Sequence, residues 1–341
     1  MVYVATVFID PFTSFTSLQH LYAPGSTLCQ AMDVVVKYAD EYVFDGLYDK
    51  VVVPPFLLNN STSLGAISSW SQDNLYRQSL TIFIIVCLGG WIFYLSSAWA
   101  SYQFVFDHEM MKHPKFLKNQ VRQEIICAVS AIPGFSILTV PWFVGEINGY
   151  SMLYEGTPQN AYEWLYLVAT VPFFLFITDM GIYWIHRLLH HPLIYKSLHK
   201  LHHKWIVPTP FASHAFHAVD GYLQSTPYHI YAYLIPMHKW LYVSMFVVVN
   251  FWTVLIHDGN FLSHSDVINT TAHHTVHHLY FNYNYGQYFT FWDKLGGSHR
   301  QPTAEQYDAS LRNNKSVWAA QTKEADTIER DDENKARKYA H

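Results

Sequence analysis

Three stretches of this chain are too apolar, and too long, for the interior of an ordinary soluble domain. Residues 78–100 (QSLTIFIIVCLGGWIFYLSSAWA) and 125–144 (IICAVSAIPGFSILTVPWFV) hold no charged side chain, and 164–185 (WLYLVATVPFFLFITDMGIYWI) hold one, Asp179. A helix crosses the hydrocarbon core with about 20 mostly apolar residues, and helices and closed barrels are the structures that satisfy their own backbone there. Each stretch is therefore predicted to be a membrane span, with Pro133 and Pro141 as kinks in the second. Residues 222–236 and 241–256 are shorter, with Pro236-Met237-His238-Lys239 as a turn between them. They predict two tilted spans or a re-entrant hairpin, and either way the chain enters and leaves on one side. The expected fold class is all-α and polytopic, with about three full spans plus that hairpin or two further spans.

Composition agrees: 14% of residues are charged, against about a quarter in soluble domains. A net charge of −5 gives no reason to expect a nucleic-acid partner. Cys29, Cys87 and Cys127 form no paired motif. The first residues lack a basic segment followed by an apolar core, so no signal peptide is expected and insertion would rely on internal segments.

Basic residues in the short loops set the expected orientation. Lys112, Lys115, Lys118 and Arg122 follow the first span, and Arg187, Lys196, Lys200 and Lys204 follow the third. Residues 145–163, after the second span, carry acids but no Lys or Arg. The N-terminus is thus expected on the lumenal side and the region after residue 185 on the cytosolic side. The sequons at Asn59 and Asn60 fall on the expected lumenal side, whereas the one at Asn269 does not and is read as unused. Three regions are expected: a lumenal or interfacial segment 1–77, a membrane-embedded catalytic domain 78–300, and a polar cytosolic tail 301–341, solvated helix or disorder.

Histidine is the residue out of proportion, with 21 in all, 16 of them between His186 and His278. Residues three and four apart share a helical face. His186 and His190 are spaced that way, as are His199, His202 and His203, and again His274, His277 and His278. His257, ending the last apolar run, adds a ninth. One HxxxH more often marks packing than a metal. Nothing in membrane packing, however, calls for eight imidazoles in these spacings, and neutral imidazole is the commonest transition-metal ligand. Eight or nine ligands exceed the four to six that one ion takes and suit a cytosolic di-metal centre. Neither HExxH nor a recurring Glu-x-x-His is present, which sets aside zinc proteases and ferritin-like carboxylate sites. His191 and His273 point off the shared faces, and His214, His217, His229 and His238 are left outside the ligand set. Asp179 lies seven residues before His186 and eleven before His190, on the same face. A buried acid near the membrane needs a partner, and Asp179 is expected to accept from a ligand's ring N–H or to act as a weak ligand.

The segments TDMGIYWIHRLLHH, LHKLHHKWIVPTPFASHAFH, VDGYLQSTPYHI, NFWTVLIHDG and HTVHHLYFNYNYGQYFTFWDKLGGSHR resemble the sterol C5-desaturases, a branch of the membrane fatty acid hydroxylase superfamily. The likeness runs from about residue 79 to 302. The histidine boxes mark the superfamily, and the stretches around SHAFHAVDGY and HHLYFNYNYGQYFTFWDKLGG mark the branch, of fungal ergosterol-pathway layout. The resemblance implies a non-haem enzyme of the endoplasmic reticulum with two iron ions, using O2 and electrons that cytochrome b5 draws from NAD(P)H through a reductase. It implies a membrane-dissolved Δ7-sterol as substrate and a Δ5,7-sterol as product. The ligands it implies are His186, His190, His199, His202, His203, His274, His277 and His278, with His257. Arg187, Lys196 and Lys204 would steer an acidic cytochrome or simply fix topology. Within the superfamily, a sterol C4-methyl oxidase or lipid hydroxylase is the alternative. A histidine-rich metal transporter is the remote one, disfavoured because the histidines gather at one membrane face.

Overall fold

The computed structural model describes residues 36, 38–48, 72, 74–259 and 265–339. The sequons at Asn59 and Asn60, Cys29, His264 and most of the N-terminal segment lie outside the described residues. Seven longer helices follow in chain order: α1 (Leu75–Phe104), α2 (Gln120–Ile147), α3 (Ala161–Leu189), α4 (Ala218–Leu234), α5 (Lys239–Leu255), α6 (Thr271–Tyr280) and α7 (Lys315–Tyr339). Extended structure among the described residues amounts to two two-residue strands, β1 (Leu153–Tyr154) and β2 (Met237–His238), paired in parallel, and one isolated bridge, Ile268 to Phe289.

Among the described residues α1, α2 and α3 are long and apolar enough to cross a membrane, as expected. Their 28 to 30 residues give axes of about 42–45 Å, well over the ~30 Å core. The internal prolines at 133, 141 and 172 remove single backbone donors, which spanning helices tolerate. Helices α4 and α5 have 17 residues each, about 25 Å and the lower limit for a span.

The chain forms two compact units: residues 1–81, 142–170 and 232–244, and residues 82–141, 171–231 and 245–341. In the first, the α4–α5 turn joins the loop between α2 and α3. Beside the β1–β2 pairing, the Met152 amide donates to Ala232 O (2.8 Å), the Tyr166 hydroxyl to Pro236 O (2.6 Å), and Lys239 pairs with Glu155 (3.2 Å). The turn therefore lies level with the end of α2 and the start of α3.

In the second unit, small residues let helices approach. A Cβ on Gly134 of α2 would come 2.6 Å from the Ala218 Cβ of α4, and one on Gly181 of α3 would come 2.8 Å from Pro227. Close approach through small residues replaces hydrophobic drive as the basis of packing between spans. Tyr94, Ala98, Ala128, Ile132, Trp205 and Phe211 form the centre of a buried cluster, in which the Tyr94 hydroxyl donates to Phe211 O (2.9 Å). Buried Glu124 of α2 accepts from the Thr209 hydroxyl and amide and from Gln120. These contacts fix the irregular stretch between α3 and α4, where the second histidine box sits.

The polar tail forms α7, and one of its faces is not solvated. Trp318 and Ala325 are buried, and Ile328 packs on Val276, Leu279 and Tyr280 of α6. Asp326 pairs with Lys115, Glu324 with Arg300 and Glu329 with Lys200.

Candidate metal centre

All nine histidines singled out in the sequence fall into two groups whose ligand atoms lie within 4.8 Å of one another. His186, His190, His199, His203 and His277 make one group, and His202, His257, His274 and His278 the other. The two HxxHH boxes do not stay whole. His199 and His203 join the first group while His202 joins the second, and His277 joins the first while His274 and His278 join the second. The reason is local geometry. The 199–203 box is not an α-helix: a π-turn, Tyr195–His199, is followed by a 3-10 turn, His202–Lys204, so neighbouring rings diverge. On α6, His274 and His278 share a face, and His277 points about 100° away from His278.

Five rings have their tautomer set by what Nδ1 meets. His186 Nδ1 lies 3.0 Å from Tyr285 O, His257 2.7 Å from Thr253 O, His277 2.7 Å from Tyr283 O and His278 3.0 Å from Trp205 O. His199 Nδ1 lies 2.7 Å from an Asp220 carboxylate oxygen. Carbonyl and carboxylate oxygens accept only, so each Nδ1 carries the proton and each Nε2 is left as a bare lone pair. The Nε2 atoms then converge. His186 and His199 are 3.1 Å apart, and His274 lies 3.0 Å from His257 and 3.1 Å from His278. His190 and His203 also meet through Nε2 at 3.1 Å, and the buried His277 Nε2 has no hydrogen-bond partner.

In these tautomers the Nε2 lone pairs of His186 and His199 face one another. Burial pushes the pKa of His190, His202, His203, His274, His277 and His278 well below the ordinary 6.5, and neighbouring rings push it further. His257 is lowered by burial to about 4. Neutral rings with converging lone pairs are what a cation needs. On an ion with bonds of about 2.1 Å, ligands at right angles sit about 3.0 Å apart, and the observed Nε2 separations match. The residues present fit two metal ions.

Asp179 does not do what its helical register suggested. Among the described residues it belongs to neither histidine group, and the donors to its carboxylate are backbone amides. Its carboxylate takes the amides of Gln287 (2.7 Å), Tyr288 (2.8 Å) and Phe289 (3.1 Å). Lying on the histidine face of α3, it meets a loop 108 residues away that packs against that face. The same loop carries Tyr285 O, so Asp179 reaches His186 through backbone. Arg187 is similarly occupied, donating to Tyr183 OH and Gly296 O (both 2.6 Å). Lys204 donates to Gln123 (2.8 Å), and Lys196 is exposed.

The acid that does face a ring is Asp220, which the sequence reading passed over. Both partners are fully buried, and Gln224 Nε2 donates to its other oxygen (2.7 Å). Its only sequence signal is an acid opening a helix 21 residues after His199, which is too weak to act on. The histidines left aside are elsewhere: His214 meets Asn250 and Ser213, His273 caps α6 through Thr270, and His191 caps a short turn. Replacing Asp220 by alanine is expected to cost about 10–100-fold in metal affinity or activity, the usual effect of losing such a hydrogen bond to a ligand. Metal titration of purified protein checks this, and an unchanged affinity would refute it.

The fatty acid hydroxylase family matches residues 171–298. A Delta(7)-sterol 5(6)-desaturase of Schizosaccharomyces pombe is 46% identical over 297 residues, covering 87% of this chain and 93% of the relative. That of Saccharomyces cerevisiae is 45% identical, covering 86% and 93%. Human lathosterol oxidase is 49% identical, covering 80% and 87%. No solved structure matches the chain. With likeness of this degree running through the spans and all three histidine boxes, the chain belongs to the Delta(7)-sterol 5(6)-desaturase family.

Proposed function

We propose that this chain desaturates a Δ7-sterol between C5 and C6 in the endoplasmic reticulum membrane, with O2 as oxidant and cytochrome b5 as electron donor. The observation that carries the reading is the pair of histidine groups, built by a chain whose relatives are named for this reaction. Overall, the sterol gives up two hydrogens as a C=C bond forms. With two further electrons and two protons, O2 leaves as two waters.

The five-histidine group would hold one iron and the four-histidine group the other; when bound, these ions supply an oxidant able to attack an unactivated C–H bond. Nine imidazoles in two groups would give each ion four or five nitrogen ligands, a donor set that suits iron. The chain's own residues do the positioning. Main-chain carbonyls at 205, 253, 283 and 285, together with Asp220, hold five rings in one tautomer. Tyr285 and Tyr195 pack their rings 4.9 and 5.4 Å from His190 and exclude water from the first group. Burial holds His190, His202, His203, His257, His274, His277 and His278 toward the neutral form. The basic loops after α1 and α3, set against an α2–α3 loop without Lys or Arg, support a cytosolic site. Exposed Lys118, Arg122 and Lys196 suit an acidic electron donor.

The test is conversion of a Δ7-sterol by purified protein in bilayers supplied with cytochrome b5 and its reductase, alongside metal analysis. Two irons per chain and a Δ5,7-sterol product are expected. A hydroxylated or C4-demethylated product, or full activity with zinc alone, would overturn the reading.

A further inference from the structure

The segment after the last histidine box is not helical, yet its backbone needs no water. From Tyr285 to Thr290 every amide is taken. Tyr285 and Gly286 donate to Asp293 (2.8 Å each), Gln287, Tyr288 and Phe289 to Asp179, and Thr290 to Val267 O (2.9 Å). Every carbonyl is taken too. Tyr285 O accepts from His186, Gly286 O and Phe289 O from Asn269 Nδ2, Gln287 O from Trp252, Tyr288 O from the Asn269 amide and Thr290 O from Lys294. Irregular backbone is tolerated at membrane depth only when protein satisfies it completely.

The short helix that follows, Phe291–Gly296, buries Asp293 with Trp292 and exposes two apolar side chains beside Lys294. Asp293 is 0% exposed, whereas Phe291 is 48% and Leu295 67% exposed. Val267, joined to the same segment through Thr290, is 65% exposed. This helix runs along α3: the Phe291 ring is 5.5 Å from Phe176, and Gly296 O accepts from Arg187. If all the excess length of α3 projected on the histidine side, a core of about 20 residues would still extend to about residue 181. Phe176, and Phe291 beside it, lie inside that limit. The exposed apolar side chains continue the lipid-facing side of α3, where Trp184 and Leu188 are also exposed.

We propose that residues 285–296, with Val267, form a re-entrant interfacial element whose apolar side chains are immersed in the lipid of the leaflet on the histidine side. The occupant of this surface is bilayer lipid. The element joins membrane to metal centre, because the strand that ends in Phe291 begins with Tyr285, whose carbonyl orients His186. The proposal does not depend on which reaction the site performs.

The test uses full-length protein in nanodiscs, with its three native cysteines replaced and single cysteines placed by Leu295→Cys or Val267→Cys. Trp184→Cys serves as the lipid reference and Ser316→Cys, exposed on α7, as the aqueous one. Each is labelled with an environment-sensitive fluorophore and quenched by nitroxide lipids or by aqueous iodide. Positions 295 and 267 are expected to emit to the blue of position 316, to be quenched by lipid nitroxides and spared by iodide, and to lie about 5–10 Å into the headgroup–acyl boundary. Iodide quenching at both positions equal to that at 316 would overturn the proposal. Both positions are exposed, so labelling disturbs no core packing, and far-UV circular dichroism on each variant verifies the fold.

Discussion

A chain carrying His274→Ala is expected to fold and to lose sterol desaturation entirely. His274 is the centre of the four-histidine group, its Nε2 standing 3.0 Å from that of His257 and 3.1 Å from that of His278. Removing it takes away a ligand outright, so the loss should exceed the roughly 10–100-fold that follows loss of a hydrogen bond to a ligand. Bound metal should fall toward the content of the five-histidine group alone. Metal analysis and sterol conversion on the same preparation check both, and desaturation at the native rate would exclude the four-histidine group from the reaction.

Asp179→Ala is expected to act through folding and only then through activity. The buried amide of Tyr288 and the part-buried amides of Gln287 and Phe289 would lose their acceptor, at up to about 1–3 kcal/mol each. That sum is a large part of the stability of an ordinary domain, about 5–15 kcal/mol. The expected result is poor recovery of folded protein and rapid proteolysis between α6 and Phe291–Gly296. Asp179→Asn keeps one acceptor oxygen and should recover part of the loss. Limited proteolysis in detergent and thermal unfolding measure this. An Ala variant as stable as the parent, but depleted of metal, would return Asp179 to the role its position in α3 suggested.

That contrast shows where the sequence was legible. The spans could be read because length and lack of charge are strong constraints in lipid. The nine histidines could be read because their spacing is local. Their division into groups of five and four could not, because it depends on a π-turn and a 3-10 turn in a segment whose helical spacing suggested one continuous face. The partner of Asp179 could not be read either. Its three amides lie more than 100 residues away, and backbone donors leave no mark on sequence. Asp220 was missed for the same reason in reverse: the ring it faces was known, but nothing local pointed to it. Charge and polarity described the tail as solvated helix or disorder, whereas it forms α7, which buries Trp318 and Ala325 and packs Ile328 on α6.

The division of the boxes has a mechanical meaning. An ion in the first group would tie His186 to His277, and one in the second would tie His202 to His278, so each would close a loop of roughly eighty to ninety residues, for which a covalent cross-link contributes about 4–5 kcal/mol. His199, His202 and His203 fall within five residues, and His274, His277 and His278 likewise, so the two ties would draw on the same two short stretches of chain. Holding one group closed would keep the other's ligands near one another even before it is filled.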